Sequence, residues 1–151
     1  MISKELQNIC WRVWESVREW VKDNPLIDIE DMRGACAICS YTLYKVLIRR
    51  GYSPKFILLE NNNKCHAHCV VELNGKIFDL SVRQFKQLGQ KQSDILVAKW
   101  DKYFKTVPKV KQFKKMLVDK EAISIINKEW TGQNPILYRN KINYLVRKLA
   151  A

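Results

Sequence analysis

The sequence has 151 residues, 47% of them apolar, which is enough for one domain with a packed core. Its five glycines and four prolines exclude collagen-like and low-complexity chains, and no apolar run approaches the roughly 20 residues that span a bilayer. The net charge is +12, and the stretch 99–151 carries 13 basic residues against 4 acidic ones. This balance favours an acidic partner, an anionic lipid surface or nucleic acid, or it is an ordinary lysine-rich surface.

The N-terminal segment predicts an amphipathic helix. Ser3 is a suitable N-cap, and apolar residues follow it at helical spacing until Asn24-Pro25 ends the pattern. No cationic region precedes a long apolar one, so the segment is not a signal peptide, and we expect a cytoplasmic protein with reduced thiols. The cysteines then need another explanation, which is burial, metal binding or catalysis. There are five of them: Cys10, Cys36, Cys39, Cys65 and Cys69.

A second helix is predicted from Gly34 to Arg50, with Gly51 as the residue that ends it. It is apolar nearly all round, which is typical of a buried helix. Cys36 lies in its first turn, where the helix N-terminus places partial positive charge on the thiol. That charge favours the thiolate, which is the nucleophilic form, and the Cys36 backbone N–H can help to hold an oxyanion.

Strand-like runs follow at 55–60, 66–73 and 76–80. Between the last two runs stands Asn74-Gly75, the strongest short signal for a β-hairpin with a two-residue loop. These three runs therefore predict an antiparallel sheet.

The two-residue loop also predicts the register of the hairpin, with Val71 opposite Phe78. In that register His68 and Asp79 share one face of the sheet as diagonal neighbours, about 7–8 Å apart between backbones. The carboxylate can then accept an N–H from the imidazole, and the other ring nitrogen can face a thiol. His66 lies on the same face but farther from Asp79, so it is the poorer partner. A one-residue slip would separate His68 from Asp79.

Cys36, His68 and Asp79 are therefore the predicted catalytic triad, as nucleophile, base and orienting carboxylate. No cofactor is implied, and no metal ion is needed by this chemistry.

Four segments give the chain a resemblance to a known family: GAC at 34–36, RGYSP at 50–54, HCVVE at 68–72 and FDLS at 78–81. In this order they resemble the transglutaminase-like branch of the papain-like cysteine peptidases. The resemblance covers about a third of the chain, up to Phe85. It implies an α+β, papain-like core in which N-terminal helices pack on a short antiparallel sheet. It also implies a Cys-His-Asp thiol enzyme that acts on a peptide or protein substrate through an acyl-enzyme.

The remainder of the chain returns to helical patterns. We predict a short helix at 82–88, an irregular aromatic segment at 99–108, a long basic helix at 109–130, a break at 131–134, and a last helix at 135–149 with proline first. The expected organisation is a single domain, 1–151, with a core at about 1–88 and a basic helical extension at about 99–151.

Three other interpretations are open, and the first two use the same cysteines and histidines. Six soft ligands suggest a zinc-stabilised module: Cys36, Cys39, Cys65, His66, His68 and Cys69. Side chains alternate along a strand, so His66 and His68 lie on one face of the sheet and Cys65 and Cys69 on the other. All six residues therefore cannot converge on one metal ion. Cys36 and Cys39 also have the spacing of a redox pair. Finally, the basic C-terminal helices suit a non-catalytic module that binds nucleic acid or protein.

Overall fold

The computed structural model describes residues 2–21, 36–60, 67–80, 95–107, 115–130 and 135–150. Their elements, in chain order, are α1 (Lys4–Val21), α2 (Cys36–Arg49), β1 (Lys55–Glu60), β2 (Ala67–Leu73), β3 (Lys76–Asp79), β4 (Leu96–Lys99), α3 (Trp100–Thr106), β5 (Lys115–Val118), α4 (Lys120–Trp130) and α5 (Pro135–Ala150). The fold is α+β, as predicted. None of the described helices is both long and apolar enough to cross a membrane.

The ends of the first two helices follow from local sequence. The Ser3 hydroxyl accepts a hydrogen bond from the Leu6 N–H at 3.2 Å, which confirms Ser3 as the N-cap of α1. After α2, Gly51 takes a φ of 91°, a left-handed conformation that glycine adopts without strain. The Tyr52 N–H then donates to the Leu47 carbonyl at 3.0 Å and closes the helix end.

Five strands form one sheet in the order β4-β3-β2-β1-β5, and each neighbouring pair is antiparallel. Val71 lies opposite Phe78, so the predicted hairpin register is confirmed. The loop residues Asn74 and Gly75 have φ values of 54° and 77°. Two successive left-handed residues are what a type I′ two-residue hairpin turn requires.

Strand alternation divides the interior into two cores on opposite faces of the sheet. The larger core packs one face against α1, α2 and α5, and in β1 it takes Phe56 and Leu58. The smaller core lies beneath α3, and in β1 it takes Ile57 and Leu59. Its buried members are Ile57, Leu59, Val70, Ile77, Ala98, Tyr103 and Val107.

Two predictions for the second half of the chain are wrong. The segment predicted as irregular contains the helix α3. The long helix predicted at 109–130 is wrong at 115–118, because these residues form β5, which pairs with β1 before α4 begins. Residues 109–114 of that prediction lie outside the described residues. Asp119 makes the break with a φ of 51°, and its carboxylate accepts the Phe56 N–H at 2.8 Å. This contact with a distant strand overrides the local helical pattern.

The chain after residue 99 is also not a helical extension alone. It supplies β5 at one edge of the sheet, and α5 buries four side chains in the larger core: Ile142, Leu145, Val146 and Leu149. The last helix itself is confirmed and begins at Pro135. The predicted features at 82–88 and 131–134 lie outside the described residues.

Candidate active site

The start of α2 packs against the middle of β2. The Ser40 hydroxyl donates to the Cys69 carbonyl at 2.8 Å, and both groups are buried. Cys36 stands four residues before Ser40, so the two side chains lie on the same side of the helix. This docking brings the Cys36 thiol, which is partly buried, beside Cys69 and His68.

The environment of Cys36 favours its thiolate. A hydrogen bond with the Cys69 side chain is the largest influence and lowers the pKa of Cys36. Burial opposes it, but the hydrogen bond and charge of His68 and the backbone of Cys69 act in the same direction as the Cys69 thiol. The net result holds the Cys36 pKa well below its usual range, which is the condition for a nucleophilic cysteine.

His68 lies between Cys36 and Asp79 and is fully buried. Its Nε2 is 2.7 Å from Asp79 Oδ2, so Nδ1 is the ring nitrogen available for the hydrogen bond with the Cys36 thiol. Burial by itself lowers the pKa of His68, but the Asp79 carboxylate and then Cys36 outweigh it and raise the pKa to about 10. The arrangement therefore favours a thiolate and an imidazolium that stabilise each other.

The sequence interpretation missed Tyr103. Its hydroxyl donates to Asp79 Oδ2 at 2.6 Å, and the side chain is fully buried. Burial first, and then the Asp79 charge, raise the pKa of Tyr103 well above its usual range, so the hydroxyl keeps its proton. The aromatic residues Trp100, Tyr103 and Phe104 are spaced i, i+3, i+4, and this spacing indicates one face of a helix. The partner of Tyr103 depends on how α3 packs on the sheet, which no local pattern reveals.

The other cysteines have a different environment. Burial raises the pKa of Cys10 to about 12. Cys39 is fully buried, and burial followed by the charges of Cys36 and Asp79 raises its pKa well above the usual range. Protonated, enclosed thiols of this kind are inert. The redox interpretation of Cys36 with Cys39 therefore gains no support.

The zinc interpretation gains no support either. Within the ranges that the structure describes, no three histidine, cysteine or acidic side chains are grouped so as to hold a metal ion. Two of the six candidate ligands, Cys65 and His66, lie outside those ranges.

Comparison with models of protein families, with curated proteins and with solved structures found no match. The resemblance to papain-like peptidases therefore stays a prediction. A function for this chain is inferred from the geometry of its own residues.

Proposed function

We propose that this protein is a cysteine peptidase-like thiol enzyme that cleaves or transfers an amide acyl group through a Cys36 thioester. One observation carries the proposal: His68 lies between Cys36 and Asp79, with its Nε2 2.7 Å from Asp79 Oδ2 and its ring in hydrogen-bonding contact with the Cys36 thiol. The Cys69 side chain first, and then His68, lower the pKa of Cys36 against the effect of burial. A thiolate, an adjacent imidazole and a carboxylate that orients the imidazole are the parts of an activated nucleophile.

In the first half of the reaction, the Cys36 thiolate attacks the carbonyl carbon of the amide and forms a carbon–sulfur bond. The carbonyl oxygen becomes an oxyanion, which the Cys36 backbone N–H helps to stabilise. When the oxyanion collapses, the carbon–nitrogen bond breaks and the leaving amine takes the Nδ1 proton of His68. The products of this half are a free amine and a thioester on Cys36.

In the second half, neutral His68 removes a proton from the incoming nucleophile, which then attacks the thioester carbon. Water gives a carboxylic acid and completes hydrolysis, whereas an amine gives a new amide and completes acyl transfer. Departure of the Cys36 thiolate restores the enzyme. Throughout, Asp79 holds Nε2 and stabilises the imidazolium.

Of the reactions that this chemistry allows, we propose peptide bond hydrolysis. Protein acyl transfer and deamidation are the next candidates. The proposed substrate is a peptide or protein, no cofactor takes part, and the proposed location is the cytoplasm. The cytoplasm keeps thiols reduced, which a cysteine nucleophile requires. In agreement with this location, the described cysteines Cys10, Cys36, Cys39 and Cys69 are all free.

The proposal is tested by acylation with p-nitrophenyl acetate, which needs no specific substrate pocket. The thiolate displaces p-nitrophenolate, so we expect a burst of colour and an acetyl group on Cys36, located by peptide mass spectrometry. Cys36→Ala and His68→Ala should abolish the burst, whereas Cys10→Ala should retain it. Acetylation that spreads over several cysteines, or that survives loss of His68, would contradict the proposal.

A second candidate function is binding of an acidic partner, an anionic lipid surface or nucleic acid. The observation in its favour is that α5 buries one side in the core and exposes Arg139, Arg147 and Lys148 around the rest of its circumference. Electrostatic binding of this kind weakens steeply with salt. Titrations with an oligonucleotide and with anionic vesicles should therefore show a salt-dependent affinity. That affinity should be lost when Arg139, Arg147 and Lys148 are all replaced by alanine. Cys36→Ala should leave that affinity unchanged.

A further inference from the structure

The short helix α3 brings a fourth side chain to the candidate active site. We propose that Tyr103 is a positioning residue, whose hydroxyl holds the Asp79 carboxylate in the orientation that His68 requires. The inference rests on the proposed function, because it assigns a role within the same site.

The first support is that two donors converge on one oxygen atom. Asp79 Oδ2 accepts from His68 Nε2 at 2.7 Å and from the Tyr103 hydroxyl at 2.6 Å. Distances this short are typical of hydrogen bonds to a charged group. All three side chains have 0% exposure, so the protein itself, rather than bulk water, sets the direction of the carboxylate.

The second support is the chemistry of the hydroxyl. A buried carboxylate is stable only when donors compensate for its lost hydration. Tyr103 supplies such a donor without adding a charge, because burial and the nearby carboxylate keep its own proton in place. Asp79 thus remains an acceptor for the imidazole whether His68 is neutral or charged.

The third support is the way α3 is anchored. The Trp100 indole donates to Glu72 Oε2 on β2 at 3.4 Å, and its ring stacks on Phe104 with centroids 5.3 Å apart. The Trp100 and Tyr103 rings are also in edge-to-face contact, with their centroids 6.1 Å apart. The Tyr103 ring is therefore fixed from several sides within the smaller core, which suits a residue that positions another.

The test compares Tyr103→Phe with Tyr52→Phe. Tyr52→Phe is the control, because it also removes a tyrosine hydroxyl that donates to a carboxylate. The Tyr52 hydroxyl donates to Glu5 at 2.9 Å, and this hydrogen bond is exposed. Proton NMR observes the His68 N–H that points to Asp79. In Tyr103→Phe we expect this signal to move upfield, because a carboxylate that Tyr103 no longer holds in line makes a weaker hydrogen bond with His68. Tyr52→Phe should leave it unchanged.

The same variants are then acylated with p-nitrophenyl acetate. We expect the rate for Tyr103→Phe to fall by about tenfold, since hydrogen bonds to charged groups have effects of that order. An unchanged or downfield-shifted signal would overturn the inference, because it would show that Asp79 keeps its alignment with His68 without the Tyr103 hydroxyl. A rate equal to the wild-type rate would overturn it as well. If the wild-type protein itself shows no acylation at Cys36, the proposed function is what fails.

Discussion

Asp79 and His68 are both fully buried, and each has its partner within hydrogen-bonding distance. Burial makes an isolated charge very costly, so a carboxylate in this position must be compensated by its neighbours. The same burial makes each partner effective, because water does not screen the interaction. The reactivity of Cys36 therefore depends on Asp79 as well as on His68, because the carboxylate acts on the thiol through the imidazole.

Replacing Asp79 by Asn preserves the shape of the side chain but removes its charge. The pKa of His68 should then fall, since the carboxylate is the first of the influences that raise it. Without an imidazolium the Cys36 thiolate loses its partner, and we expect acylation by p-nitrophenyl acetate to slow by about 100-fold or more. Asp101→Asn, on the exposed surface of α3, is the matched control and should react at the wild-type rate.

The pH dependence of stability separates the two members of the ion pair. His68 has a raised pKa, so its contribution is complete below about pH 6.5 and is lost as the pH rises towards about 10. Cys36 has a lowered pKa, so its contribution is present above its ordinary value of 9.0 and is lost as the pH falls through its lowered pKa. Between these limits the two effects oppose each other in the wild-type protein.

Cys36→Ala should expose the effect of His68. Above about pH 6.5 we expect the free energy of unfolding of this variant to fall by up to about 1.4 kcal/mol per pH unit, because only the folded state holds the His68 proton. The wild-type curve should be flatter. Urea unfolding at a series of pH values measures both, and parallel curves for the two proteins would show that Cys36 and His68 do not form an ion pair.

Among the helices and strands, the features that the sequence predicted are those determined by residues close together in the chain. Ser3 begins α1, Gly51 ends α2, and Asn74-Gly75 dictates the register that brings His68 near Asp79. The strand β5 was missed because its residues continue a helical pattern. Its pairing with β1 is a contact between distant parts of the chain, and the sequence has no local sign of it.

Asp119 is the residue that joins β5 to α4, and its replacement tests this junction. Its carbonyl accepts the Ile123 N–H at 2.8 Å at the start of α4, while its carboxylate accepts from Phe56 at 2.8 Å. Asp119→Ala removes the carboxylate contact and places alanine in a left-handed conformation, so we expect a loss of about 2 kcal/mol in the free energy of unfolding. Urea denaturation measures it, with Asp101→Ala, expected within about 0.5 kcal/mol of wild type, as the control. Equal stability of the two variants would contradict this role.

At the scale of the whole molecule, the candidate site draws on both cores. Cys36 packs against the larger core, whereas Tyr103 belongs to the smaller one. The sequence motifs that predicted the site end before residue 86, so the sequence pointed to three members of the site and not to the fourth. Tyr103 comes from a segment with no recognisable motif.

This distribution predicts that the segment 1–88, expected from the sequence to contain the core, does not fold alone. It lacks β4 and β5 at the two edges of the sheet, and it lacks the four α5 side chains that complete the larger core. A fragment ending at residue 88 should show neither a cooperative urea transition nor dispersed amide signals by NMR. A fragment with native-like dispersion would instead establish that the later elements are additions to an independent core.

The pH dependence of iodoacetamide alkylation at each cysteine, mapped by peptide mass spectrometry, tests whether Cys36 is a thiolate that depends on His68. We expect Cys36 to react well below pH 8.5, the ordinary range of a free thiol, while Cys10 and Cys39 stay inert, and we expect His68→Ala to abolish this reactivity. A Cys36 that reacts no faster than the other cysteines, or that is indifferent to the loss of His68, would contradict the thiol enzyme.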